Sequence, residues 1–156
     1  MRVYGICRWD AAGNVLATST VATTKAAARL NLTLDHPGLG GQRVSGPVGS
    51  IKADGQDVAL VRVQVQDEDG NFVPSADHNI SFAVSGPGTI YGVGNGDPSD
   101  HDPDKAAFRK AYKGLARVIV QSTRTGRDGA DAGSEITLSA TAAGLTKASI
   151  SIKLGS

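Results

Sequence analysis

The 156-residue chain has one cysteine, Cys7, so no disulfide can form within it and a disulfide-stapled scaffold is excluded. Aromatic residues make up 4% of the sequence, with Trp9 the sole tryptophan, a poor supply for a surface of stacked aromatic platforms. No apolar run approaches the roughly 20 residues that a membrane-crossing helix needs. The net charge of +1 gives no electrostatic reason to bind nucleic acid or an anionic membrane. A signal peptide is also missing: Met1-Arg2 leads straight into the strand-like Val3-Tyr4-Gly5-Ile6, so the chain is expected to be an excised piece of something longer. There is no internal repeat. Glutamate occurs only at Glu68 and Glu135.

Glycine and β-prone alternation are what the chain has in quantity. Its 20 glycines and 6 prolines fit many short strands joined by many turns, and 40% hydrophobic content can support a core. From Val58 to Gln66, Ala59, Val61, Val63 and Val65 fall on one face and Arg62, Gln64 and Gln66 on the other, with Leu60 the exception. Successive strand side chains point to opposite faces, so this run has one buried and one wet face. Asp67-Glu68-Asp69-Gly70-Asn71 then supplies turn chemistry. Asn79 to Val84 repeats the pattern with Ile80, Phe82 and Val84 inward, as in an antiparallel sheet with one solvated face.

Further strands are expected over Ala26–Asp35, Thr89–Val93, Leu115–Ser122, Glu135–Ala142 and Lys147–Leu154, making about seven in a sandwich. Val61, Val63, Phe82, Val84, Val118, Val120, Leu138 and Ile150 are expected to be nearly fully buried between two facing sheets. Val3–Trp9 and Val15–Thr20, joined by Asp10–Asn14, read as a hairpin, which is marginal in water and must pack on something. His36–Gly49, with five glycines and two prolines, and Thr123–Ser134 read as loops. Lys105–Tyr112 reads as a short helix, with Phe108 and Tyr112 at i and i+4, Pro103-Asp104 at its start and Gly114 as its stop. The fold class is therefore all-β: an immunoglobulin-like β-sandwich with one short helix.

Candidate chemistry is sparse. Gly92-Val93-Gly94-Asn95-Gly96 has the wrong spacing for a dinucleotide fingerprint, and no βαβ unit follows it. A glycosidase needs two carboxyl groups flanking the scissile bond, about 5 Å apart in retaining enzymes and wider in inverting ones. Glu68 sits in a surface turn and Glu135 at a strand start, so no catalytic residue is assigned. Asp97, Asp100, Asp102 and Asp104 form the only carboxylate-rich stretch, and Asp100-x-Asp102-x-Asp104 imitates the start of an EF-hand loop. Lys105 stands where that loop needs glycine and Ala111 where it needs a bidentate glutamate. A solvated loop capping a helix is the plainer reading, and no metal site is assigned. His36, His78 and His101 lack zinc spacing. No cofactor is expected. Gly92–Asp104 is nonetheless long for a mere chain reversal. Asn95, Asp97 and His101 are the residues expected to contact a neighbouring domain or approach a substrate cleft.

Several blocks carry a resemblance. They are Ala53-Asp54-Gly55-Gln56-Asp57, Val61-x-Val63-x-Val65-x-Asp67, Gly70-Asn71-x-Val73-Pro74-x-Ala76, Ser85-Gly86-Pro87-Gly88 and Gly92-Val93-Gly94-Asn95-Gly96-Asp97-Pro98. Downstream come Arg109-Lys110-Ala111-Tyr112-x-Gly114-Leu115-Ala116-x-Val118-Ile119-Val120-Gln121-Ser122 and Ile136-Thr137-Leu138-x-Ala140. Together they resemble the C-terminal immunoglobulin-like domain of bacterial β-galactosidases of glycoside hydrolase family 2, from about Ala26 to Leu154. The first two blocks with the Asp-Gly-Asn turn also resemble invasin-type bacterial immunoglobulin-like domains. The stretch Pro37–Ser50 is longer than the family pattern.

The resemblance implies a terminal hairpin at 1–24, left from a preceding domain, and a sandwich domain at 25–156. It implies that the catalytic glutamates lie in an upstream barrel, since no position here matches them, and that this chain is a non-catalytic accessory domain. The partners implied are the other domains of the parent hydrolase, with a glycan as a further candidate and neither nucleic acid nor membrane. A periplasmic or secreted parent is favoured over a cytoplasmic one, with the compartment left open. A carbohydrate-binding module and an adhesin-type spacer stay open as alternatives.

Overall fold

The computed structural model describes residues 3–35, 50–124 and 134–155. The expected loop His36–Gly49 and most of the expected loop Thr123–Ser134 lie outside these residues. In chain order the strands are β1 (Val3–Trp9), β2 (Val15–Ala22), β3 (Arg29–Asp35), β4 (Ser50–Lys52), β5 (Val58–Gln66), β6 (Asn79–Ser85), β7 (Gly88–Gly94), β8 (Phe108–Lys110), β9 (Leu115–Ser122), β10 (Glu135–Ala142) and β11 (Ala148–Gly155). β1 and β2 form a two-stranded sheet of their own. The rest form a five-stranded sheet in the order β4-β11-β10-β6-β8 and a four-stranded sheet in the order β3-β5-β9-β7. All pairings are antiparallel except β4 on β11, which is parallel.

The alternation read in the sequence sets the register. Ala59, Val61, Val63 and Val65 of β5 are buried, and Val61 lies opposite Val118 of β9. From the other sheet, Ile80, Phe82, Ile136, Leu138, Ala140, Ile152 and Leu154 join the same core. At about 25 cal/mol per Å² of apolar area removed from water, this shared core is the main term holding the two sheets face to face. Val84 and Ile150, expected to be nearly fully buried, are half-buried and pack at its margin.

Two loops hold charge inside the sandwich, and both position the candidate site. Asp67, at the end of β5, is fully buried. Its Oδ1 accepts the N–H groups of Asp69 at 3.0 Å and Asn71 at 2.8 Å, and its Oδ2 accepts Asn71 Nδ2 at 3.1 Å and the Lys25 N–H at 3.0 Å. The tether to Lys25 joins the start of the sandwich to the turn. These donors, Lys25 first, favour the charged carboxylate and lower its pKa to about 2.

The other buried charge is Arg109, and it overturns the expected helix at Lys105–Tyr112. Among the described residues there is no helix. The segment is instead a bend followed by β8, in which Phe108 and Lys110 are exposed while Arg109 and Ala111 are buried. That is a period of two, and β8 pairs along the edge of β6 with Arg109 opposite Ile80. The extended backbone lets the guanidinium reach acceptors on the preceding loop. The Phe108–Tyr112 spacing that suggested a helix face buries nothing there, since Phe108 is 38% exposed. Gly114 does not stop a helix. With Lys113 (φ 51°) and Gly114 (φ 78°) both left-handed, it completes a two-residue turn in which Tyr112 and Leu115 exchange backbone hydrogen bonds of 2.9 and 3.1 Å. That turn carries the chain from the five-stranded sheet to β9 of the other sheet.

Candidate functional site

The residues expected to matter come together at one end of the sandwich. The loop between β7 and β8 faces the β5–β6 connection and the Lys113-Gly114 turn, and the three segments enclose a concavity of about 430 Å³. Ala76 and Ala111 form its buried floor. Asn95, Asp97 and His101 all line it, and so do Asp77, Asp102 and Lys110. Backbone hydrogen bonds fix the walls to one another: Ala111 N–H donates to His78 O at 2.8 Å, and Gly114 N–H to Ala76 O at 2.8 Å.

Arg109 organises the loop from behind. Nη1 donates to Asp100 Oδ2 at 2.9 Å, and Nη2 to Val93 O at 3.2 Å, Pro103 O at 3.1 Å and Asp104 Oδ1 at 3.0 Å. Pro103 and Asp104, read in the sequence as a helix start, thus serve as acceptors for a guanidinium. Asn95 is consumed by the loop as well. Its Nδ2 donates to Asp100 Oδ2 at 2.6 Å and Lys110 O at 2.9 Å, while its Oδ1 accepts Asp97 N–H at 2.9 Å. Asp97 Oδ1 accepts the Ser99 N–H and hydroxyl at 2.9 and 2.7 Å, and these two bonds hold its carboxyl below the usual range. Asp100 is lowered first by the Asp102 N–H and next by Arg109. Asp77 is lowered by its hydrogen bond with Lys110.

The division of labour is therefore clear. Asn95 and Asp100 build the loop, whereas His101 and Asp102 stand exposed at its rim and Asp97 is half-exposed between them. The EF-hand-like spacing holds no cation geometry: Asp100 and Asp104 turn to a guanidinium, and no cluster of three or more His, Cys, Asp or Glu among the described residues is arranged for a metal ion. His78 lies half-buried in the β5–β6 connection, and His36 falls outside the described residues. Sequence reasoning missed Arg109, Asp77 and Lys110. A signal for Arg109 was present, since an arginine five and nine residues after two aspartates, in a Phe-Arg-Lys-Ala alternation, fits an inward-facing strand residue bound to that loop.

Residues 48–151 match the family described as glycoside hydrolase family 2 C-terminal domain 5. The chain belongs to this family. A protein of Bacteroides ovatus named β-galactosidase BoGH2A is 34% identical over 140 residues, covering 90% of this chain and 14% of that protein. A protein of Formosa agariphila named β-glucuronidase is 36% identical over 106 residues, covering 67% of this chain and 10% of that one. The crystal structure of a glycosyl hydrolase family 2 member from Bacteroides cellulosilyticus shares the fold, with a TM-score of 0.75 at 23% identity, over 97% of this chain and 18% of that one. This C-terminal domain 5 chain thus spans 14% and 10% of the length of its two curated relatives.

Proposed function

We propose that the chain is a non-catalytic accessory domain of a longer family 2 glycosidase, whose catalytic carboxyl groups lie in other domains. The observation that carries this reading is the family match to a C-terminal domain, combined with the 14% share of the Bacteroides ovatus relative that the chain spans. The glutamates support it. Glu68 is tied to Lys25 in an exposed ion pair, and Glu135 accepts Ser151 Oγ at 3.0 Å from the neighbouring strand. Neither is held as glycosidase chemistry requires, beside a second carboxyl group across a cleft. In the longer protein the rim formed by Asp97, His101 and Asp102 packs against a neighbouring domain or borders the substrate cleft, with Asn95 and Arg109 holding it in shape.

The substrate of the longer protein, on this reading, is a terminal β-galactoside, after the Bacteroides ovatus relative. A β-glucuronide is the second reading, favoured by the name of the Formosa agariphila relative. The pure 156-residue chain should hydrolyse neither nitrophenyl β-galactoside nor nitrophenyl β-glucuronide, while the longer protein should turn over one of them. Turnover by the chain alone, above a buffer blank, would sink the accessory-domain reading. His101→Ala should alter kcat/KM or melting in the longer protein and leave the melting of the isolated chain unchanged.

A further inference from the structure

Asn95 is the only asparagine in the chain that precedes a glycine. Such a pair is labile in an unfolded peptide. The glycine backbone nitrogen can attack the asparagine Cγ, because a residue without a Cβ gives it no steric shield. In the loop between β7 and β8 neither residue is easily exchanged for a safer one. Gly96 has a left-handed φ of 78°, which favours glycine even though a Cβ there would meet nothing within 4 Å. Asn95 donates twice, to Asp100 Oδ2 at 2.6 Å and to Lys110 O at 2.9 Å, and accepts the Asp97 N–H at 2.9 Å. An aspartate in its place could do only the last.

The same bonds hold the reaction back. Attack at Cγ needs the side-chain amide to turn toward the Gly96 nitrogen, and both ends of this amide are engaged. Its Nδ2, the leaving nitrogen, is the atom bound to Asp100 and Lys110. Asp100 is itself fixed by Arg109 Nη1 at 2.9 Å. Reaction is thereby limited to the moments when the loop opens. Gly96 is exposed, so water reaches the product.

We infer that Asn95-Gly96 is a site of spontaneous deamidation, gated by the loop that Arg109 holds, and that its modification opens the rim irreversibly. Gly96 N bonds to Asn95 Cγ, the Cγ–Nδ2 bond breaks, and ammonia leaves with the Gly96 amide proton. Water then opens the resulting succinimide at either carbonyl, giving an aspartyl or an isoaspartyl residue. Either product sets a carboxylate against Asp100 Oδ2 and Lys110 O, acceptor against acceptor where two hydrogen bonds stood. Its charge also repels that of Asp100. The isoaspartyl form further lengthens the main chain inside the turn that the Asp97 N–H closes. This site belongs to the chain itself and is independent of what the longer protein hydrolyses.

The test uses the 156-residue chain at mildly alkaline pH, where the attacking amide is more often deprotonated. Tandem mass spectrometry of proteolytic peptides reads the mass gain of an amide-to-acid change at each asparagine. Asn95 should convert in the folded chain at least about tenfold more slowly than in denaturing urea. Asn71, followed by Phe72, should lag behind it in urea. Arg109→Met should speed conversion of Asn95 in native buffer at least about threefold. Asn95→Asp, which copies the aspartyl product, should quicken amide exchange across 95–104 and leave 67–71 unchanged. Equal rates in the folded and denatured chain would overturn the gating. No conversion of Asn95 in the folded chain over about a hundred urea half-times would overturn the site. Unaltered exchange in Asn95→Asp would overturn the opening of the rim. If Arg109→Met does not fold, the comparison of native buffer with urea on the unsubstituted chain still decides.

Discussion

The turn at Asp67–Asn71 and the loop between β7 and β8 both close over a buried charge, but of opposite sign. Asp67 collects donors: backbone N–H groups and one side-chain amide, most of them within four residues. Arg109 collects acceptors, two carbonyls and two carboxylates, from residues 5 to 16 positions away. A buried charge costs free energy unless it is paired and hydrogen-bonded, so each loop is shaped by the need to satisfy its ion. The carboxylate can be served locally, because a tight turn aims several N–H groups at one point. The guanidinium spreads five donors in a plane and needs acceptors from several directions, so its loop must be long. The long loop, not the tight turn, lines the concavity with Asp97 and His101.

Gly114 packs the turn after β8 against the segment that follows the Asp67 turn, and changing it should have the largest effect. A Cβ there would lie 2.3 Å from Val73 O and 2.8 Å from the Phe72 ring, both just beyond the Asp67 turn. The left-handed φ of 78° adds its own strain. Gly114→Ala should cost about 3 kcal/mol or more, from backbone strain plus overpacking. Denaturant unfolding measures it, and a cost under about 1 kcal/mol would mean that the turn after β8 is not packed on Phe72 and Val73.

Next comes Arg109→Met, which keeps the bulk of the side chain but removes its charge. Asp100, whose side chain is 12% exposed, loses its cation, and the Val93 and Pro103 carbonyls lose a donor. A loss of about 3 kcal/mol is expected, the lower end for breaking a buried pair, because Asp104 is 90% exposed and can rehydrate. Amide exchange should quicken across 95–104 and stay unchanged across 67–71. Equal quickening in both would contradict the separation of the two loops.

How far the sequence disclosed this architecture follows the same division. β5, β9 and β10 have the bounds expected from alternation, because a strand with one buried face writes its period locally. The Asp67 turn was legible for the same reason: Asp, Gly and Asn carry their turn chemistry within five residues. β4 and β8 were not. Each is three residues long and exists through a distant partner, β11 for one and β6 for the other. Arg109 was placed in a helix because the Phe108–Tyr112 spacing and Gly114 are local signals, while its real determinants, Val93, Asp100, Pro103 and Asp104, are assembled only once the loop folds back. Asn95, Asp97 and His101 stand out in the sequence as members of one unusual loop, and the structure sets them along one concavity. Their roles do not stand out, since only the geometry shows Asn95 turned inward and His101 outward.

Acid provides the gentlest separation of the two regions. Asp67 has its pKa lowered to about 2 from an ordinary 3.8, and Asp100 is lowered as well. A carboxyl whose folded pKa is depressed contributes stability that is fully present above its unfolded pKa and is lost as pH falls toward the folded value. For Asp67 that window runs from about pH 4 down to about 2. Protonating Asp67 weakens the acceptor that holds the turn amides and the Lys25 tether together, and no other group replaces it. Protonating Asp100 removes only part of the Arg109 shell, because the Val93 and Pro103 carbonyls do not titrate. Amides at 69–71 and Lys25 should therefore lose more exchange protection on acidification than those near Arg109, and Asp67→Asn should flatten the fall in melting temperature between pH 4 and 2. An unchanged acid slope in that variant would move the acid-sensitive contact away from the turn and leave the other depressed carboxyls, Asp77, Asp97 and Asp100 among them, to account for it.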